Sequence, residues 1–123
     1  MANWQPELTP SFTPEEMACK CGCGRSDMDA DFMLSLQGLR DRIGPMKITS
    51  GFRCPNHPEE KKKSKPGAHS AGLAADFKPL NASMWEALKH VFAMEFPGVG
   101  IAKSFIHVDG GHPSAHRPAL WTY

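Results

Sequence analysis

The chain lacks the features that let a protein act through bulk properties. Among its 123 residues, 14 Lys and Arg stand against 13 Asp and Glu, a formal net charge of +1, which excludes a nucleic-acid binder that relies on a basic surface. No apolar run approaches the roughly 18 residues of a membrane span. The start, Met1-Ala2-Asn3-Trp4-Gln5-Pro6, has neither the basic residues nor the apolar stretch of a signal peptide. A soluble product made in the cytoplasm is therefore expected, with a separate means of release if its substrate lies outside. Internal repeats and a linker of distinct composition are also missing, so one domain over residues 1–123 is expected, as a monomer.

What is present is globular composition, 41% hydrophobic and 22% charged, with 11 Gly and 11 Pro that promise many turns and a small core. Thr13-Pro14-Glu15-Glu16 carries an N-cap, a proline at the first helical position and a capping box, so a short helix begins there. Asp27 or Asp29 caps a second helix, whose apolar positions Phe32, Met33, Leu36, Leu39 and Ile43 recur at helical spacing before Gly44-Pro45 ends it. Met46 to Ser50 reads as a strand and Pro55 to Gly67 as a loop, in which Glu59-Glu60-Lys61-Lys62-Lys63 reads as a solvated charge run. A strand from Leu73 to Phe77 leads to a helix from about Ser83 to Glu95, with Trp85, Leu88, Val91 and Phe92 on its buried face. Strands over Val99 to Ala102 and Phe105 to Asp109 precede an irregular tail that begins at Gly110. Helices followed by a small antiparallel sheet, interrupted by one helix, make the fold class α+β.

The four cysteines are uneven. Cys19, Cys21 and Cys23 form C-x-C-x-C and Cys54 stands alone, which is not a standard zinc spacing. A pair from the cluster can meet Cys54 as a disulfide or as part of a small metal site; the alternative, favoured without a secretion signal, is reduced thiols that fasten the two segments by packing.

Three short stretches carry chemistry. In His69-Ser70-Ala71-Gly72-Leu73-Ala74-Ala75-Asp76, a loop His precedes a strand Asp, and Gly72 lets the loop fold back; imidazole and carboxylate are ligands that a catalytic zinc takes. In Phe105-Ile106-His107-Val108-Asp109, the period of two sends Phe105, His107 and Asp109 to one face and Ile106 and Val108 to the other, towards the core. In Ser50-Gly51-Phe52-Arg53-Cys54, a strand runs into an Arg suited to holding a carboxylate. A single His in a small domain is commonly a surface or capping residue, but an Asp inside an apolar strand is costly unless something compensates it.

Taken together, Ser50-Gly51-Phe52-Arg53-Cys54-Pro55, His69 to Asp76, Phe105 to Asp109, and Ser11-Phe12-Thr13-Pro14-Glu15-Glu16 running into Cys19-Lys20-Cys21-Gly22-Cys23-Gly24 resemble the zinc D-alanyl-D-alanine carboxypeptidase family. The resemblance is greatest to short phage-borne and prophage-borne members that act as peptidoglycan peptidases or endolysins, and it runs from about residue 11 to 112. It implies a hedgehog/D-Ala-D-Ala peptidase-like fold with a zinc site in a cleft on the sheet, one Zn2+ held by His69, Asp76 and His107, and Arg53 binding a substrate carboxylate. It also implies peptidoglycan stem peptides as the partner, with action on the cell wall after holin-type release or from a virion.

Two departures from the family pattern bear on mechanism. Gly67 replaces the Ser expected two residues before His69. Where relatives carry an acid or a His as general base, this chain has Ser104 and Phe105. Asp109 is then the first candidate to shuttle the proton or to orient a ligand imidazole, and His112 the second; in a third arrangement Asp109 binds the metal and His107 is the base. A zinc-binding module without catalysis, and a structural phage protein, are the alternative functions.

Overall fold

The computed structural model describes residues 3–62, 67–112 and 116–123. Lys63, at the end of the charge run, and Pro113 and Ala115, in the tail, lie outside the described residues.

The N-terminal half is helical for the reasons its sequence suggests. Thr13 caps α1 (Pro14–Met17), and the capping box forms in both directions, Glu16 N to Thr13 Oγ1 at 3.1 Å and Thr13 N to Glu16 Oε1 at 3.2 Å. Asp29 is the cap of α2 (Ala30–Ile43), accepting from Phe32 N at 2.9 Å. Asp27 instead pairs with Arg25. Gly44 ends α2 with φ 82°, a conformation cheap only for glycine. All five of the apolar positions expected on α2 are buried.

A five-stranded sheet comes next, in the order β1-β2-β4-β3-β5: β1 is Met46–Ser50, β2 Ala74–Pro79, β3 Gly98–Ile101, β4 Ile106–Asp109 and β5 Ala119–Thr122. The expected antiparallel sheet holds for β1, β2, β4 and β3, but β5 joins β3 in parallel, so the sheet is mixed. β5 lies in the stretch expected to be irregular. Its short Ala-Leu-Trp-Thr run is ordered by pairing with β3, a contact no local pattern announces. The loop after β1 holds a further short helix, α3 (Pro58–Lys61), in which Glu60 is buried instead of solvated because it meets Arg53 and Ser70.

The core lies between α2, α4 (Met84–Ala93) and one face of the sheet, with Phe77, Ile106 and Val108 wholly buried beside Leu36, Leu39 and Val91. The opposite face is polar where β2 and β4 meet. On α4 the buried positions are Ala87 and Val91, with Leu88 partly buried; Trp85 and Phe92 are 72% and 47% exposed. A narrow stripe of small residues suffices there because α4 packs beside α2, and Trp85 and Phe92 fall outside that stripe. Among the described residues, no helix is long and apolar enough to cross a membrane.

These placements predict unequal costs for two aromatic truncations. Phe77→Ala should lose about 3–5 kcal/mol in urea unfolding, whereas Trp85→Ala should stay within about 0.5 kcal/mol of the parent. Comparable losses for the two would mean that α4 is turned differently on the sheet.

Candidate metal centre

One row across the sheet organises the polar face. β2 pairs with β4 so that Asp76 lies opposite His107, β1 brings Ser50 opposite Asp76 across a bulge, and Gly100 of β3 and Trp121 of β5 continue the row beyond His107. Directly opposed residues project from the same face, so the register places the Asp76 carboxylate against the His107 ring, with Oδ1 2.9 Å from Nδ1.

His69 reaches the same point from a loop. Its turn is anchored by Asp29 N donating to Gly72 O at 2.9 Å, and Gly72 has φ 73° and backs so closely onto Asp27 and Met28 that no Cβ fits. His69 Nδ1 lies 2.7 Å from the Gly51 carbonyl oxygen. That oxygen can only accept, so Nδ1 carries the ring proton and Nε2 presents its lone pair. Nε2 points at Asp76 Oδ1, 3.3 Å away.

Burial keeps His69 below its ordinary imidazole pKa, outweighing the nearby Asp76 carboxylate, and so favours the neutral ring. A neutral lone pair facing a carboxylate oxygen is repulsive unless a cation lies between them. His107 works the other way: burial lowers it, but hydrogen bonds to Asp109 and Asp76 prevail and raise its pKa. With His107 Nε2 donating to Asp109 Oδ2 at 2.8 Å, Nδ1 can exchange its proton for a metal ion. His69, Asp76 and His107 are all buried, and one ligand atom from each lies within 4.8 Å of the others. Two imidazole nitrogens and a carboxylate oxygen are a donor set that fits zinc.

Asp109 is fully buried behind His107. It accepts from Gly111 N at 3.0 Å and takes a two-pronged pair from Arg117, Nε to Oδ1 at 3.0 Å and Nη2 to Oδ2 at 2.6 Å. Burial would raise its pKa, but the His107 and Arg117 hydrogen bonds hold it well below the usual carboxylate range. Burial likewise opposes ionisation of Asp76, and the hydrogen bond from His107 Nδ1 overrides it.

The site opens into a cleft of about 490 Å³, whose walls include Arg53, Phe105, Arg117, Trp121 and Tyr123. Phe105 shares this face with His107, as the period of two requires. Arg53 is anchored by Nε donating to Ser50 Oγ at 3.1 Å. Its outer nitrogens lie 3.5 Å from Asp76 Oδ2 and 3.7 Å from Glu60 Oε2, distances that leave donors to spare. His112 is half-buried beyond β4 and does not form part of this cleft wall.

Several residues of this site are not legible in the sequence. Arg117 is one, and Trp121, whose ring centroid lies 5.0 Å from that of His107, is another. The two glycines of β3 make room for them. A Cβ on Gly100 would stand 2.6 Å from Trp121 Nε1, and one on Gly98 would overlap the Asp109 carboxylate. The Gly98-Val99-Gly100 alternation was the available signal, since glycine inside a strand marks a close approach from another group.

The peptidase M15 family model matches residues 10–109, a span that holds His69, Asp76, His107 and Arg53. The chain belongs to the peptidase M15 family. Its members are zinc peptidases, so the donor set found here has the chemistry that the family requires. No curated protein matches the chain.

This geometry makes stability depend on pH. Asp76 and Asp109 ionise more readily folded than unfolded, so their stabilisation is complete above the unfolded carboxyl range, about pH 4, and is lost as the pH falls towards the folded values. Chelator-treated protein should lose stability steeply below about pH 4, and Asp109→Asn should flatten that dependence; parallel curves would refute the assignment. Separately, Gly98→Ala should cost roughly 1–3 kcal/mol in urea unfolding, and no cost would show that the carboxylate sits elsewhere.

Proposed function

We propose that this chain is a single catalytic domain of hedgehog/D-Ala-D-Ala peptidase-like fold that hydrolyses an amide bond in peptidoglycan stem peptides. His69 Nε2, Asp76 and His107 Nδ1 hold the zinc. The observation that carries this reading is the convergence of two imidazole nitrogens on one buried carboxylate at the floor of an open cleft. Bound zinc supplies a Lewis acid and lowers the pKa of water to about 7.

The chain's own groups orient the ligands and hold the substrate. Asp109 keeps the proton of His107 on Nε2, so that Nδ1 faces the metal, and Arg117 keeps Asp109 ionised. Burial and hydrogen bonds from His107, Gly111 and Arg117 suit Asp109 to orienting His107 better than to carrying a proton to the leaving amine. Arg53 offers its outer nitrogens to the carboxylate of the stem peptide. Phe105, Trp121 and Tyr123 give the cleft an apolar wall suited to alanyl methyl groups. Carboxypeptidase and endopeptidase activity differ only in the group beyond the scissile bond. The resemblance to short phage-borne enzymes supports a lysin that reaches the wall through a holin or on a virion.

The test is zinc content together with muropeptide digestion, on the wild type and on His69→Ala, Asp76→Ala and His107→Ala. Each substitution should remove the zinc of this site and abolish release of stem-peptide fragments. Arg53→Ala should keep the zinc and lower kcat/KM by roughly 10- to 100-fold, the worth of a charged hydrogen bond. Zinc bound without cleavage would identify a non-catalytic zinc-binding module, and full activity in Asp76→Ala would end the reading.

A further inference from the structure

Outside the residues that line the cleft, four sulfurs meet. Cys19, Cys21 and Cys23 lie on the knuckle after α1, and Cys54 on the strap after β1. Cys21 Sγ lies 3.2 Å and Cys19 Sγ 3.6 Å from Cys54 Sγ, and all four sulfurs are within 4.8 Å of one another. Four thiolates around a tetrahedral zinc, each about 2.3 Å from it, stand roughly 3.8 Å apart. A disulfide, at about 2.05 Å, joins only two sulfurs and accounts for neither of the others.

The backbone is shaped for the same end. Gly22 at φ 93° and Gly24 at φ 78° curl the knuckle through left-handed conformations, so that the exposed Cys21 and Cys23 hold their sulfurs beside those of the buried Cys19 and Cys54. Cys19 N donates to Arg25 O at 2.8 Å and closes the turn. Two amides aim at sulfur, Cys54 N at Cys19 Sγ at 3.3 Å and Arg25 N at Cys23 Sγ at 3.5 Å, and such donors stabilise ligating thiolates.

We propose that Cys19, Cys21, Cys23 and Cys54 form a second metal site, a closed tetrathiolate that takes zinc or a similarly soft divalent cation and has a structural role. Four thiols give up four protons as the ion binds, and four protein ligands leave it no position for substrate. The site ties the knuckle to the strap Gly51 to Cys54. That strap supplies both the Gly51 carbonyl that orients His69 and the side chain of Arg53. The ion therefore braces one wall of the cleft without entering it.

Cobalt(II) titration of the reduced full-length protein tests this, because thiolate-to-cobalt charge transfer in the near ultraviolet reports sulfur ligation alone. The wild type should develop that absorption and hold about two zinc ions per chain. His69→Ala/His107→Ala should keep the absorption and lose one zinc, so failure of the peptidase assignment leaves this readout intact. Cys21→Ser/Cys23→Ser, at two exposed positions, should lose the absorption and lower Tm. The wild-type spectrum decides the matter even if that variant does not fold. No charge-transfer absorption in reduced wild type, or an intact mass that shows a disulfide in metal-bearing protein, would overturn the proposal.

Discussion

The pairing of Asp76 with His107 across β2 and β4 is the constraint on which the rest of the site depends. Antiparallel strands hold directly opposed side chains close together on one face, and a slip of either strand by one residue would turn its own group towards the core and part the pair. Ile106, Val108, Ala75 and Phe77 prevent that shift, because they fill the opposite face and would be exposed by it. Apolar packing on one side of the sheet thereby holds the polar geometry on the other. His69, on a loop, then needs only one rigid hinge at Gly72 and one acceptor at Gly51 to join the pair.

Buried charge sets the second requirement. Asp109 sits with no exposure behind His107, and an unpaired carboxylate there would be strongly destabilising. Arg117 neutralises it with a two-pronged pair and also stacks over Trp121, its Cζ 5.1 Å from the ring centroid. The C-terminal segment therefore does more than close the sheet: Arg117, just before β5, brings the counter-charge, and β5 brings an aromatic wall, to the face that carries Asp76 and His107. Glycine at 98 and 100 is the local condition for this, since any side chain there would displace the carboxylate or the indole.

The N-terminal segment meets the site from the other side. Phe52 N donates to Met17 O at 2.9 Å, and Gly51 lies so close to Met17 that a Cβ would stand 2.7 Å from its carbonyl oxygen. The strap between β1 and α3 is thus pressed onto the end of α1, with the cysteine knuckle beside it. In a small domain with a modest core, such ties give loop residues like Arg53 and His69 a firm mount.

What the sequence by itself determined is local or periodic. The capping box at Thr13, the buried stripe of α2, the stop at Gly44 and the inward Ile106 and Val108 arise from hydrogen-bonding geometry and side-chain period, which neighbouring residues set. His69, Asp76, His107 and Arg53 stood out as chemistry-bearing residue types in or beside short strands, but it was the resemblance to the carboxypeptidase family that grouped them into one expected site. Only the tertiary structure decided what depends on distant segments. Parallel pairing of β5 with β3, burial of Glu60 against Arg53, exposure of Trp85 and the capture of Asp109 by Arg117 each join residues whose own surroundings carry no sign of the partner. The four sulfurs make the same point: their spacing along the chain matches no standard zinc pattern, and they become one cluster because α1 and β1 dock side by side.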